Sequence, residues 1–103
     1  MSKDVLVIVP NLHSAVLGKT IQSLLEQQTS LSYEVIVVGQ DKYRLIPEHP
    51  LVQSIETEKP TPPGKARNLG VGQSTGKLIV FVDSDCIVPP DFLEQHVLAH
   101  TRH

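Results

Sequence analysis

The chain has 103 residues, near the commonest size of a single domain, enough for one continuous hydrophobic core and too few for two domains. A hydrophobic share of 40% and a charged share of 19% exclude a disordered or fibrous protein; nine Lys+Arg against eleven Asp+Glu leave a formal charge of −2, without the positive field that nucleic-acid or anionic-membrane binding draws on. The longest apolar runs, 5–9 and 78–82, fall far below the roughly 20 residues that cross a bilayer, so no transmembrane segment is expected.

Val5 to Val9 is continuous and apolar, the pattern of a parallel strand buried on both faces. It is too short for a secretory signal, Pro10 follows at once and Asp4 stands beside Lys3, so secretion is not expected. Next, Leu17, Ile21, Leu24, Leu25 and Gln28 share one helical face, with Ser14 as an N-cap. Glu34 to Val38 is a second buried strand, which makes a βαβ unit, because parallel neighbours need a crossover. Leu51 to Glu56 alternates and predicts a more exposed strand near an edge. Residues 58–64 carry Pro60, Pro62 and Pro63 and form a loop. A second helix over 65–74 follows, with Ala66, Leu69 and Gln73 on one side and Gly76 closing it before a third buried strand, Lys77 to Val82. Pro89, Pro90 and Asp91 open a last helix whose apolar face is Phe92, Leu93, Val97 and Leu98. The expected fold is α/β, one domain over 1–103 with a mostly parallel sheet of about four strands and flanking helices.

Asp83-Ser84-Asp85 stands at the carboxyl end of the strand Leu78 to Val82, where open α/β sheets bind their ligands. Two carboxylates at i and i+2 on a chain leaving a strand can converge on one hard divalent cation, and oxygen donors select Mg²⁺ or Mn²⁺. The plainer reading is that acidic residues end strands and begin turns. Arg67, near the start of the second helix, offers a charged fork to phosphate oxygens; taken alone it is a solvated surface residue.

Six segments occur together in order: Val7 to Pro10, Ile21 to Gln28, Glu34 to Val38, Ala66 to Gly70, Thr75 to Lys77, and Phe81 to Asp85. In this order and spacing the chain resembles the nucleotide-sugar-binding half of the inverting family 2 glycosyltransferases, which have the GT-A fold. The resemblance implies a Rossmann-like, three-layer partial domain that binds a nucleotide-diphospho-sugar, a UDP-sugar first, with Mg²⁺ or Mn²⁺. By the same resemblance Pro10 and Asn11 line the base pocket, Arg67 the diphosphate side, Asp83, Ser84 and Asp85 the ribose and metal, with Asp83 and Asp85 as metal ligands. The sequence departs from the family after its second strand, where an acidic pair usually stands: here Gly39 and Gln40 occupy those places. Asp41 one residue later, or the Gln40 amide, takes the role of pairing with the base.

Other motifs carry less. Gly18-Lys19-Thr20 lacks the first glycine of a phosphate loop, which falls on His13. Gly70 to Thr75 misses the dinucleotide fingerprint and precedes a strand. His96, His100 and His103 read as surface residues of the last helix, and Cys86 as a small packing residue. With one cysteine, no internal disulfide forms, and a reducing cytoplasm is expected. No residue offers itself as the catalytic base: Asp91 and Glu94 read as first-turn helix residues, and the family's base and acceptor elements come from a downstream half. Two functions therefore stand: part of a glycosyltransferase, or a non-catalytic nucleotide-sugar-binding or assembly module. A partial sheet with an unpaired edge further predicts a homo-oligomer.

Overall fold

The computed structural model describes residues 4–57 and 78–101. Their elements are β1 (Val5–Leu12), α1 (Leu17–Leu25), β2 (Tyr33–Gln40), β3 (Val52–Glu56), β4 (Leu78–Phe81) and α2 (Phe92–Thr101). The four strands form one all-parallel sheet in the order β3-β2-β1-β4. Central strands β1 and β2 are the two uninterrupted apolar runs, and Val5 to Val9 and Val35 to Val38 are all buried, as a strand covered on both faces requires.

One face carries Val5, Val7, Val9, Val35, Val37 and Val80, against which pack Leu17, Ile21 and Leu24 of α1 and Leu93 of α2. The other carries Leu6, Ile8, Ile36 and Val38. Each Leu or Ile buried this way contributes about 1.5–3 kcal/mol. Edge strand β3 does not alternate simply: half-buried Val52 joins the first cluster and half-buried Ile55 the second, while Gln53, Ser54 and Glu56 are exposed. Residues three apart on a strand face opposite sides, so each face of the sheet receives one apolar side chain at this border.

Register decides where the site lies. β1 and β2 run together from Val5↔Tyr33 to Leu12↔Gln40, and β3 ends at Gly39↔Glu56, so Asn11, Gly39 and Glu56 stand in one row at the carboxyl edge. β4 stops earlier, at Ile8↔Phe81. The Val82 N–H still donates to the Ile8 carbonyl at 3.0 Å. In a parallel ladder the next bond would come from the N–H of residue 10, and Pro10 has none. Proline therefore ends the pairing and frees residues 83–85 to turn away.

Two helix boundaries differ from the sequence expectation. Val16, not Ser14, precedes α1, and it makes no side-chain cap. The Ser14 hydroxyl accepts from the Val16 N–H at 3.3 Å but donates to a distant carbonyl, that of Ser84, at 3.1 Å. Because α1 ends at Leu25, Gln28 lies beyond it rather than on its face. In α2 Leu93 is buried and Leu98 exposed, so its core-facing stripe is narrower than predicted. The predicted loop 58–64, the helix over 65–74 with Arg67, and Lys77 lie outside the described residues. Among those described, no helix is long and apolar enough to cross a membrane.

Candidate functional site

At the end of β2, Gly39 has φ +136°, and a Cβ there would overlap the Asn11 carbonyl oxygen. Glycine lets β1 and β2 close on each other at this point. Buried Asn11 then links three chain segments: its Nδ2 donates to the Gln40 carbonyl at 2.9 Å and its Oδ1 accepts from the Ser14 N–H at 3.2 Å. The Gln40 carbonyl also accepts from the His13 N–H at 2.9 Å. His13 sits in the left-handed region, φ 55°, and its Nδ1 accepts from the Lys42 N–H at 3.0 Å, which explains why a non-glycine residue is held there.

A cavity of about 220 Å³ opens over this row, lined by Asn11, Gly39, Gln40, Asp41, Arg44 and Glu56 among others. A wider groove of about 690 Å³ shares Gln40, Asp41 and Glu56 and adds His13, Lys42 and Thr57. Asp41 lines both. Its Oδ2 accepts from the N–H groups of Leu45 at 2.7 Å and Ile46 at 3.1 Å, while Oδ1 is buried without a hydrogen-bond partner. The Gln40 amide donates through Nε2 to the Thr57 carbonyl at 3.1 Å. Of the two side chains offered for the base, the amide donor is engaged and one carboxylate oxygen is not. Pro10 is buried in β1 and belongs to the lining of neither cavity.

Beyond β4 the chain makes a turn in which the Cys86 N–H donates to the Asp83 carbonyl at 3.1 Å. The carbonyl in the middle, that of Ser84, accepts from the Ser14 hydroxyl at 3.1 Å and from the Thr20 hydroxyl at 3.0 Å. Asp83 and Asp85 are exposed, and one ligand atom from each lies, together with the Cys86 sulfur, within a 4.8 Å group. Cys86 is exposed and not a packing residue, because the turn carries it outward; its Sγ lies 3.8 Å from Asp85 Oδ1. Local desolvation, then the neighbouring carboxylates of Asp85 and Asp83, push its thiol pKa up, and its soft sulfur is a poor match for the hard cations that oxygen donors select. The donor set is thus two hard carboxylates on a solvent-facing turn, which fits Mg²⁺ or Mn²⁺.

Helix α1 and the residues just after it hold the chain that follows the turn. Ser23 Oγ accepts from the Val88 N–H at 3.1 Å, Gln27 Nε2 donates to the Pro89 carbonyl at 2.7 Å, and Gln27 Oε1 accepts from the Leu93 N–H at 2.9 Å. The Gln28 N–H donates to the Pro90 carbonyl at 2.8 Å, and Thr29 Oγ1 donates to Glu94 Oε1. Thr20, Ser23 and Gln27 thus form a polar seam beside the apolar stripe Leu17-Ile21-Leu24. Sequence reasoning took Ser14 as a helix cap, Thr20 only within Gly18-Lys19-Thr20, and Ser23 and Gln27 only as parts of the segment Ile21 to Gln28. The available signal was polar residues at i and i+3 within a core-facing helix and at i+7 just past its end.

The sequence model of the family described as Glycosyl transferase family 2 matches residues 5–103. Over 101 residues the chain is 33% identical to the succinoglycan biosynthesis protein ExoO of Rhizobium meliloti (strain 1021), covering 91% of this chain and 29% of that protein. Among solved structures, S. aureus TarS 1-349 is similar with a TM-score of 0.79 and 26% identity, over 100% of this chain and 33% of that one. The mannosyltransferase PcManGT from Pyrobaculum calidifontis, solved in complex with GDP-Man and Mn²⁺, is similar with a TM-score of 0.78 and 25% identity, over 94% of this chain and 32% of that one. The chain therefore spans about a third of the length of these relatives.

Proposed function

Because the chain belongs to glycosyl transferase family 2, we propose that it is the nucleotide-binding part of a glycosyltransferase, taking a nucleotide-diphospho-sugar with Mg²⁺ or Mn²⁺ for transfer to an acceptor. One observation carries the reading: the Asn11–Asp41 cavity and the Asp83–Asp85 turn share the carboxyl edge of one parallel sheet and are joined through Ser14. Asp83 and Asp85 hold the cation, with Ser84 fixing the turn between them. A bound divalent ion supplies positive charge against the negative charge that develops on a departing nucleoside diphosphate.

Asp41 is the residue for the base. Oδ2 already accepts two backbone N–H groups, and the remaining acceptor, Oδ1, is buried in the ligand-free chain, so a base reaches it only if the side chain turns toward the cavity. The guanine edge presents two donors that match both oxygens of a carboxylate, so one remaining acceptor disfavours GDP; uracil, with one ring N–H, fits it, and the choice of UDP over CDP rests on the family resemblance. Arg67 is proposed at the diphosphate by family resemblance alone. The catalytic base is unassigned: Glu94 is occupied by Thr29, and Asp91 stands just before α2 with its carbonyl accepting from the Gln95 N–H.

The test is calorimetric titration with UDP, GDP and CDP, each with and without Mn²⁺. UDP is expected to bind best and to require the metal, with affinity falling roughly tenfold or more in Asp85→Ala. Asp41→Asn keeps the turn's acceptor but turns a donor toward the base, and is expected to weaken UDP by a similar factor. Silence from all three nucleotides sinks the reading. Sugar transfer or nucleotide-sugar hydrolysis by the chain, absent in Asp85→Ala, separates an enzyme from the alternative, a non-catalytic binding module.

Self-association is proposed at the β4 border, where Phe81 is 45% and Ile87 64% exposed. A single 11.3 kDa species in sedimentation at micromolar concentration would remove it. A cytoplasmic location rests on the one free cysteine, Cys86, and cell fractionation checks it.

A further inference from the structure

The Ser84 carbonyl lies between the two aspartates of the turn and receives two hydroxyl donors, Ser14 and Thr20, which are 70 and 64 residues away in sequence. A carbonyl oxygen has two lone pairs, and both are used. Rotating the peptide between Ser84 and Asp85 would break both bonds at once. Thr20 is fully buried, so if its hydroxyl lost this carbonyl it would have no access to water in exchange. Ser14 is tied from the other side through Asn11 Oδ1, and Asn11 through the Gln40 carbonyl, so one hydrogen-bonded path crosses the sheet edge from the end of β2 to the turn after β4. Packing alone would not select this arrangement, since valine fills nearly the same space as threonine at position 20.

We propose that Thr20 and Ser14 are positioning residues: their hydroxyls clamp the Ser84 carbonyl and hold the Asp83 and Asp85 carboxylates ready for a divalent cation. Holding donors in place before binding removes an ordering cost from the binding step. The functional half of this inference rests on the metal reading above, whereas the clamp is a property of the ligand-free chain and is measurable without metal.

The variants are Thr20→Val, which removes the hydroxyl at nearly constant shape, Thr20→Ser, which restores it, and Ser14→Ala. Two readouts are used: amide hydrogen exchange at Cys86, whose N–H closes the turn, with the core amide of Ile36 as reference; and Mn²⁺ affinity in the presence of UDP, followed by the electron paramagnetic resonance of free Mn²⁺. In Thr20→Val, Cys86 exchange is expected to quicken and the Mn²⁺ Kd to rise, each roughly three- to tenfold, with Ile36 unchanged. Ser14→Ala shifts both in the same direction and Thr20→Ser returns them to the starting values. Wild-type exchange at Cys86 in Thr20→Val overturns the clamp, and equal acceleration at Ile36 reduces Thr20 to a general stability role, which also overturns it. Failure of the unsubstituted chain to bind Mn²⁺ with UDP overturns the proposed function and the metal half of this inference, while the exchange comparison still decides the clamp.

Discussion

Gly39 and Tyr33 bound the same strand and set two limits on it. At Gly39 any side chain must push the Asn11 carbonyl aside and adopt a φ that L-residues rarely hold. Gly39→Ala is therefore expected to lose about 2–4 kcal/mol, read as a Tm lowered by roughly 10 °C or more in a thermal scan. Tyr33 is buried at the other end, and burial raises its phenol pKa above 10.0. The unfolded chain ionises first as pH rises, so the folded form binds more protons there: Tyr33's contribution is complete below pH 10 and is lost as pH climbs through the raised value. The difference in Tm between wild type and Tyr33→Phe should then change across pH 9–11, and a constant difference would contradict this. At this scale the place of Asp83 and Asp85 at the carboxyl end of a strand was legible, because it is a local fact. The sequence left Gln40 and Asp41 unresolved and the role of Thr20 unseen, because a hydrogen-bond partner 64 residues away leaves no local trace.

The strands were the most legible elements. β1 and β2 are read from uninterrupted apolar runs, and such a run has one stable home, a strand covered on both faces. α1 was legible in its apolar stripe and not in its start, since Ser14 satisfies the capping pattern while its hydroxyl proton goes to Ser84. The seam Thr20-Ser23-Gln27 shows why a helix face is not always read by apolar spacing: it binds an irregular segment, whose backbone groups need partners that no ladder supplies. Ser23→Ala leaves the Val88 N–H unpaired and Gln27→Ala does the same to the Leu93 N–H and the Pro89 carbonyl. Each is expected to cost about 1–3 kcal/mol in urea unfolding. Gln22→Ala, which breaks only the exposed pair with Glu26 on the opposite flank, should cost under about 0.5 kcal/mol and serves as the control.

Across the whole molecule, β1, α1 and β2 are contiguous in sequence, with β1 and β2 at the centre of the sheet and α1 on one face, whereas residues 84–94 are held by hydrogen bonds from Ser14, from α1 and from the residues just after it. Chain order therefore suggests an order of assembly. Contacts close in sequence cost less loop entropy and form earlier, and the clamp at Ser84 joins positions 64 and 70 residues apart. Loss of the seam hydrogen bonds should accordingly raise the unfolding rate and leave the folding rate nearly untouched, a φ-value near zero, whereas Ile36→Val in β2 should slow folding. Stopped-flow chevrons of Ser23→Ala and Ile36→Val separate the two, and a slowed folding arm in Ser23→Ala would refute the order. On that order of assembly the polar seam has a kinetic meaning beyond its geometry: the turn bearing Asp83 and Asp85 should be completed last in folding and released first in unfolding, its lifetime then set by how long α1 and the residues after it keep hold of it.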